Sequence, residues 1–200
     1  MGMKNYLATI SIILLILGAA LQGSAQTSNA ATSGPGWVGY YCTQTGGLVE
    51  SRQAVYGTND PPQDWLRLAA VQDFCQYSAD DGSRIHVNLL TLDTTKPTLA
   101  ALAYYAQVQW NGQGNGNPAS YYCTQLGGAE IGATDLAGGA WVSKGGIDML
   151  LETCVFPDNS TIDSWGLLYH SVGIIRGIDL STVLQYKNPY PEKKPAEKKD

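Results

Sequence analysis

Two octapeptides constrain this chain more than anything else in it. Residues 40–47 read Tyr-Tyr-Cys-Thr-Gln-Thr-Gly-Gly and residues 121–128 read Tyr-Tyr-Cys-Thr-Gln-Leu-Gly-Gly, identical at seven of eight positions. A second cysteine follows each: Cys75 lies 33 positions after Cys42, and Cys154 lies 31 after Cys123. The later parts also correspond, since Cys75-Gln76-Tyr77 precedes Asp80-Asp81-Gly82-Ser83 and Cys154-Val155-Phe156 precedes Asp158-Asn159-Ser160. Internal similarity at this level indicates duplication of one structural unit. The expected fold class is α+β: two small tandem disulfide-stapled repeats, each running helix–strands–turn–helix or strand. Two copies do not make a solenoid, so the units are expected side by side or face to face.

The N-terminus reads as an address. Lys4 supplies positive charge, residues 6–21 form a nearly unbroken apolar run, and Gly23-Ser24-Ala25 places small residues for cleavage after Ala25. Sixteen residues fall short of the ~20 that span a bilayer, so residues 1–25 are read as a signal peptide and not an anchor. Export gives the cysteines their meaning, because disulfides persist outside the cytosol. Four cysteines allow three pairings. Duplication makes Cys42–Cys75 with Cys123–Cys154 the simplest, each closing a loop that stabilises its unit by roughly 3–4 kcal/mol. Zinc is disfavoured, because no closely spaced Cys pair occurs.

Charge narrows the partners. Residues 26–186 carry fourteen acidic and six basic side chains, a net of −8, while the five lysines of 187–200 face three acids. An acidic body argues against nucleic acid, whose phosphates select clustered Lys and Arg. Charged residues make up only 14% of the chain, with small polar residues in their place, which suits an outer-surface protein. The organisation expected is a disordered lead at 26–36, repeat domain 1 at 37–109, a Gly/Asn linker at 110–117, repeat domain 2 at 118–186 and a disordered Lys/Pro/Glu tail at 187–200.

Local signals fill in the units. Asn117 and Pro118 suit the cap and first turn of a helix. Ala119, Tyr122, Cys123 and Leu126 form one stripe, and Gly127 ends the helix in a left-handed conformation. Val38, Tyr41, Cys42 and Thr45 repeat that spacing up to Gly46. Strands are expected at 47–55, 85–92, 128–134 and 150–156, with a turn at Pro157-Asp158-Asn159-Ser160. Pro97 opens an Ala-rich helix over 98–108, and Asp163 caps a helix containing Trp165, Leu168 and Tyr169.

Asn117-Pro118-Ala119-Ser120-Tyr121-Tyr122-Cys123, then Gly127-Gly128, then Cys154-x-Phe156-Pro157-Asp158-x-Ser160 and Trp165, resembles a family of small exported bacterial and archaeal domains of unknown function that carry a hemolysin label. The resemblance covers 118–170 well and 37–92 more loosely. Asn159 stands where the family has Gly, Ile162 stands where many members have a further Cys, and the first copy lacks the Asn-Pro-Ala-Ser start. The label implies membrane damage.

No catalytic constellation stands out. A triad would need His170 with Ser160, Ser164 or Ser171 and Asp163, but no nucleophile elbow surrounds any serine. His86 and His170 are read as surface residues. Gly138–Gly146 lacks phosphate-loop spacing and reads as a mobile loop. Trp141 in that loop and Trp65 in the first copy are the candidate binding-loop residues, against the plainer reading of tryptophans covering a small core. Asp80, Asp81, Asp158 and Asp163 fit turn chemistry better than calcium, since the full ligand loop is absent. Asn159-Ser160-Thr161 is a glycosylation sequon, usable where the host has the machinery. The expectation is an exported, secreted or cell-surface, non-enzymatic binding or structural module. It uses no cofactor and no metal, binds an unknown surface or envelope ligand, and inserts no stable membrane span. The alternatives are a membrane-active hemolysin and a secreted hydrolase or an inhibitor of one. Oligomeric state and the packing of the units stay open.

Overall fold

The computed structural model describes residues 37–131 and 137–190. The leader, the lead segment, the tail beyond Tyr190 and residues 132–134 of the expected strand at 128–134 lie outside these; of that strand's described part, Ala129 makes a single bridge to Val155. In chain order come α1 (Tyr40–Gln44), β1 (Leu48–Tyr56), a 3-10 turn (Pro62–Asp64), β2 (Leu66–Ser78), β3 (Arg84–Asn88), α2 (Leu89–Leu92) and α3 (Leu99–Ala106). Then follow α4 (Pro118–Gln125), β4 (Gly139–Ser143), β5 (Thr153–Val155), β6 (Thr161–Asp163), α5 (Ser164–Ser171) and a 3-10 turn (Leu180–Thr182).

The six strands form one antiparallel sheet in the order β4-β1-β2-β3-β6-β5. Strands from after Asn111 flank the three from before it on both sides, and one core cluster draws on both halves. This differs from the expected two cores. The three strands after Asn111 have 5, 3 and 3 residues, too little face to bury a core alone, and joining them to β1–β3 lets one layer of helices cover both. The sheet curls until Leu151, just before β5, exchanges both backbone hydrogen bonds with Trp141 of β4 at 2.8 Å. Period-two alternation then gives the sheet two unlike faces. Cys75, Val87, Cys154 and Ile162 face the helices in the main core. Ala54, Phe74, Trp141 and Leu151 form a second apolar cluster.

Both disulfides occur, Cys42–Cys75 and Cys123–Cys154. Each ties a helix to a strand, and the glycine pair makes the tie possible. Gly46 and Gly127 end their helices at φ 87° and 85°, where a Cβ would be strained. Gly47 and Gly128 run against the sulfurs: a Cβ on Gly128 would fall on Cys154 Sγ and 2.9 Å from Cys123 Sγ, and one on Gly47 would fall on Cys75 Sγ and 2.8 Å from Cys42 Sγ.

Several local expectations are corrected. Leu89–Leu92 is helical, not strand, because the Asn88 side chain accepts from Leu90 N and starts a helix there. Val38 lies before α1 and is 60% exposed, so the first stripe is shorter than its spacing suggested. Gly138–Gly146 is not a free loop: its first half is β4, paired with β1 over Arg52–Tyr56. Across from it the β1–β2 register slips around Ala54, and Gln53 Nε2 bonds Leu68 O there. Such a bulge twists the outer stretch of β2 away from further pairing.

The turn Pro157–Ser160 works at a distance. Asn159 takes the left-handed conformation at φ 61°, as Asn tolerates. Asp158 Oδ2 then accepts from Leu99 N and Ser160 Oγ from Ala100 N, capping α3 from another part of the chain. Asp158→Ala is expected to lower stability by about 1 kcal/mol, and urea unfolding reads this directly.

Candidate functional site

Strands β1, β2, β3 and β6 aim polar side chains at one another on the face opposite the helices. Arg52 is 2% exposed, and its guanidinium meets Glu50 Oε2 at 2.7 Å, Asp148 at 3.4 Å and Met149 O at 3.1 Å. His86, also buried, has Nε2 3.0 Å from Gln76 Oε1 and 3.5 Å from Glu50, with Nδ1 3.5 Å from Asp163 Oδ2. Asp163 Oδ1 accepts from Gly166 N, which caps α5. The Glu50 carboxyl is held down at about 2 by its hydrogen bond to His86 and by Arg52, against the opposing effect of burial. Burial alone would depress His86, but Asp163 and Glu50 outweigh it and raise it.

A second carboxylate pair lies beside this cluster. Glu152 Oε2 accepts from Asn117 Nδ2 at 2.7 Å and from Trp165 Nε1 at 2.6 Å. Asn117 Oδ1 meanwhile caps α4 through Ala119 N. Ser120 Oγ donates to Glu130. The Asn-Pro-Ala-Ser start and the Trp-containing segment therefore meet on Glu130 and Glu152, which the sequence reading passed over. Burial pushes Glu130 up to about 7, and the charges of Glu152 and Asp163 add to this. Between the ordinary value and about 7 the folded chain holds a proton that the unfolded chain releases, so stability falls with rising pH over that window. The full loss is about 3 kcal/mol. Glu130→Gln is expected to abolish this part of the pH dependence in unfolding curves taken from pH 4 to 8.

The ionic cluster opens to solvent through a cleft of about 470 Å³ whose lining includes Arg84, His86, Met149, Glu152, Trp165 and Arg176. Among the described residues, neither Arg84 nor Arg176 has a carboxylate within 4 Å. Arg176 lies 5.2 Å over the Tyr169 ring. A second cavity of about 490 Å³ beside α1 and α2 is lined mainly by apolar and backbone groups, with Asp93 as its one charged residue.

Trp141 is 3% exposed and packs edge-to-face on Phe74 at 5.6 Å, so it is a core residue and not a binding-loop residue. Trp65 is half-buried, with Nε1 bonded to Asp60 O. Both histidines are buried, not at the surface. His170 stacks on Tyr104 at 3.8 Å and bonds Gln107, while Asp163 pairs with His86, so the triad alignment does not form. Asn159 is exposed on its turn. The four cysteines are all oxidised.

These observations define a mixed α+β protein with two disulfides, a six-stranded half-barrel sheet and an ionic interior. Residues 114–171 match the family model DUF333, a domain of unknown function. That match runs from the Asn117 cap through Gly128 and the Asp158 turn to the end of α5. No curated protein and no solved structure matches the chain.

Proposed function

We propose that the chain is exported and serves, at the cell surface or secreted, as a non-enzymatic binding or structural module whose ligand face is the cleft. The observation that carries this is its lining: two guanidinium groups with no carboxylate within 4 Å among the described residues, and an indole. Its carboxylates and imidazole, Glu152, Asp163 and His86, are tied to Asn117, Trp165, Gly166 N and one another, and it holds no hydroxyl or thiol among the described residues. Two disulfides and an apolar leader support export. Duplication is supported by geometry as well as sequence. Leu48 pairs with Gln76 as Ala129 pairs with Val155, and Cys75 faces Val87 as Cys154 faces Ile162. The test is retention of envelope components on immobilised protein. Loss of retention in an Arg84→Ala, Arg176→Ala variant is the expected result. Failure of the wild-type protein to retain any component, or turnover of peptide, ester or glycan substrates, would reject the reading.

One observation favours the hemolysin reading as second. Ile147 and Met149 beside the cleft, and Val172, Ile174 and Ile175 before Arg176, are exposed aliphatics on two loops. No helix among the described residues is long and apolar enough to cross a membrane. Dye release from liposomes at low micromolar protein would put this reading first.

A further inference from the structure

We infer that the cleft binds an oxyanion, the carboxylate or phosphate of an envelope polymer, between Arg84 and Arg176; this rests on the cleft being the ligand face. Hydrogen-bonding capacity in the cleft is lopsided. Acceptors at its base already have partners of their own: Glu152 Oε2 accepts from Asn117 and Trp165, Asp163 Oδ1 accepts from Gly166 N, and Asp163 Oδ2 lies 3.5 Å from His86 Nδ1. The two arginines differ. Arg84 is exposed and approaches Met149 Sδ at 4.0 Å, and Arg176 lies over the Tyr169 ring at 5.2 Å; among the described residues neither has a carboxylate within 4 Å. Guanidinium groups left in this state select a ligand that brings acceptors, and they match carboxylate and phosphate oxygens in their fork geometry.

The placement of arginines reinforces this. The described body has four. Arg52 is neutralised inside the sheet, and Arg67 is tied to Gln53 Oε1 and Gly146 O. The remaining two line the same cleft. In a body of net charge −8, the meeting at one cleft of its two guanidinium groups without a carboxylate within 4 Å cannot follow from general basicity. The Trp165 ring and Met149 add an apolar wall for the polymer's carbon skeleton.

Calorimetric titration tests this with three probes: a polyuronate, a polyol phosphate polymer and a neutral glucan. One or both anionic polymers are expected to bind, more weakly as salt rises, and the glucan is not. Binding of the polyuronate alone assigns carboxylate as the source, and of the phosphate polymer alone, phosphate. Arg84→Ala and Arg176→Ala are each expected to weaken binding at least tenfold, with unchanged melting temperature. Arg84→Lys is expected to recover part of it, and Arg67→Ala, away from the cleft, to leave it unchanged. Equal binding of the glucan, equal loss in Arg67→Ala, or no anionic binding by protein that still retains envelope components would overturn the oxyanion assignment and leave the binding-module reading standing. Absence of all retention would remove both.

Discussion

Gly128→Ala is expected to destabilise the protein by about 3 kcal/mol, at the upper end of overpacking costs. The new methyl group has no room, since it would clash with Cys154 Sγ and lie 2.9 Å from Cys123 Sγ and 3.2 Å from Val155 O. Neither a disulfide nor a strand backbone can yield as a flexible side chain tip would. Gly127→Ala is the informative contrast. Gly127 sits at φ 85° with nothing within 4 Å of a Cβ, so its cost is conformational only, about 1 kcal/mol. The steric origin can be isolated further in a Cys123→Ala, Cys154→Ala background. There the sulfur clash is gone, and the penalty of Gly128→Ala is expected to shrink, a coupling that urea-unfolding free energies would expose. Equal costs at Gly127 and Gly128 in the native background would contradict this explanation of the glycine pair. Gly47 has the same geometry against Cys75 and Cys42 and is expected to behave as Gly128 does.

Arg52→Ala is expected to cost about 3–5 kcal/mol, the range for stripping one partner from a buried ion pair. Arg52 is 2% exposed and holds Glu50, Asp148 and the Met149 carbonyl together. Without it Glu50 keeps His86 alone as a charged neighbour and its depressed ionisation moves upward. A depressed carboxyl stabilises the fold above its unfolded value, and that contribution fades as pH falls toward the folded one, here about 2. The gap between wild type and Arg52→Ala is therefore expected to be widest near neutrality and to narrow below pH 4. Chemical denaturation at several pH values measures it. A gap that stays constant with pH would mean that Arg52 contributes through packing alone.

The sequence was most legible where the signal is local. Asn117, Pro118 and Gly127 bound α4, Asp163 starts α5, and duplication of the Cys–Gly-Gly motif pointed to the disulfide pairing that occurs as the simplest of three. It was least legible where partners are distant in the chain. Nothing near Glu130 or Glu152 in sequence announces Ser120, Asn117 or Trp165 as their donors. His86 looked like a surface residue because its carboxylates come from β1 and β6, 36 positions before it and 77 after it. The glycines around Trp141 suggested a mobile loop, with the indole either offered for binding or folded back onto the core. Those glycines permit β4 to lie against β1, and the indole turns inward onto Phe74. Asp158 and Ser160 were read as turn residues, which they are. Their second role, capping α3, depends on packing that only the fold brings about.

The central claim is that a doubly stapled, non-catalytic sheet presents one cleft to an envelope ligand. Hydrogen-exchange footprinting of the disulfide-bonded protein, with and without an envelope fraction, tests it most directly. Added protection is predicted in the segments that form the cleft walls, 82–86, 149–152 and 174–177, with the amides paired in β1 and β2 unchanged. Protection confined to other surfaces, or a footprint identical with and without the envelope fraction, would contradict it.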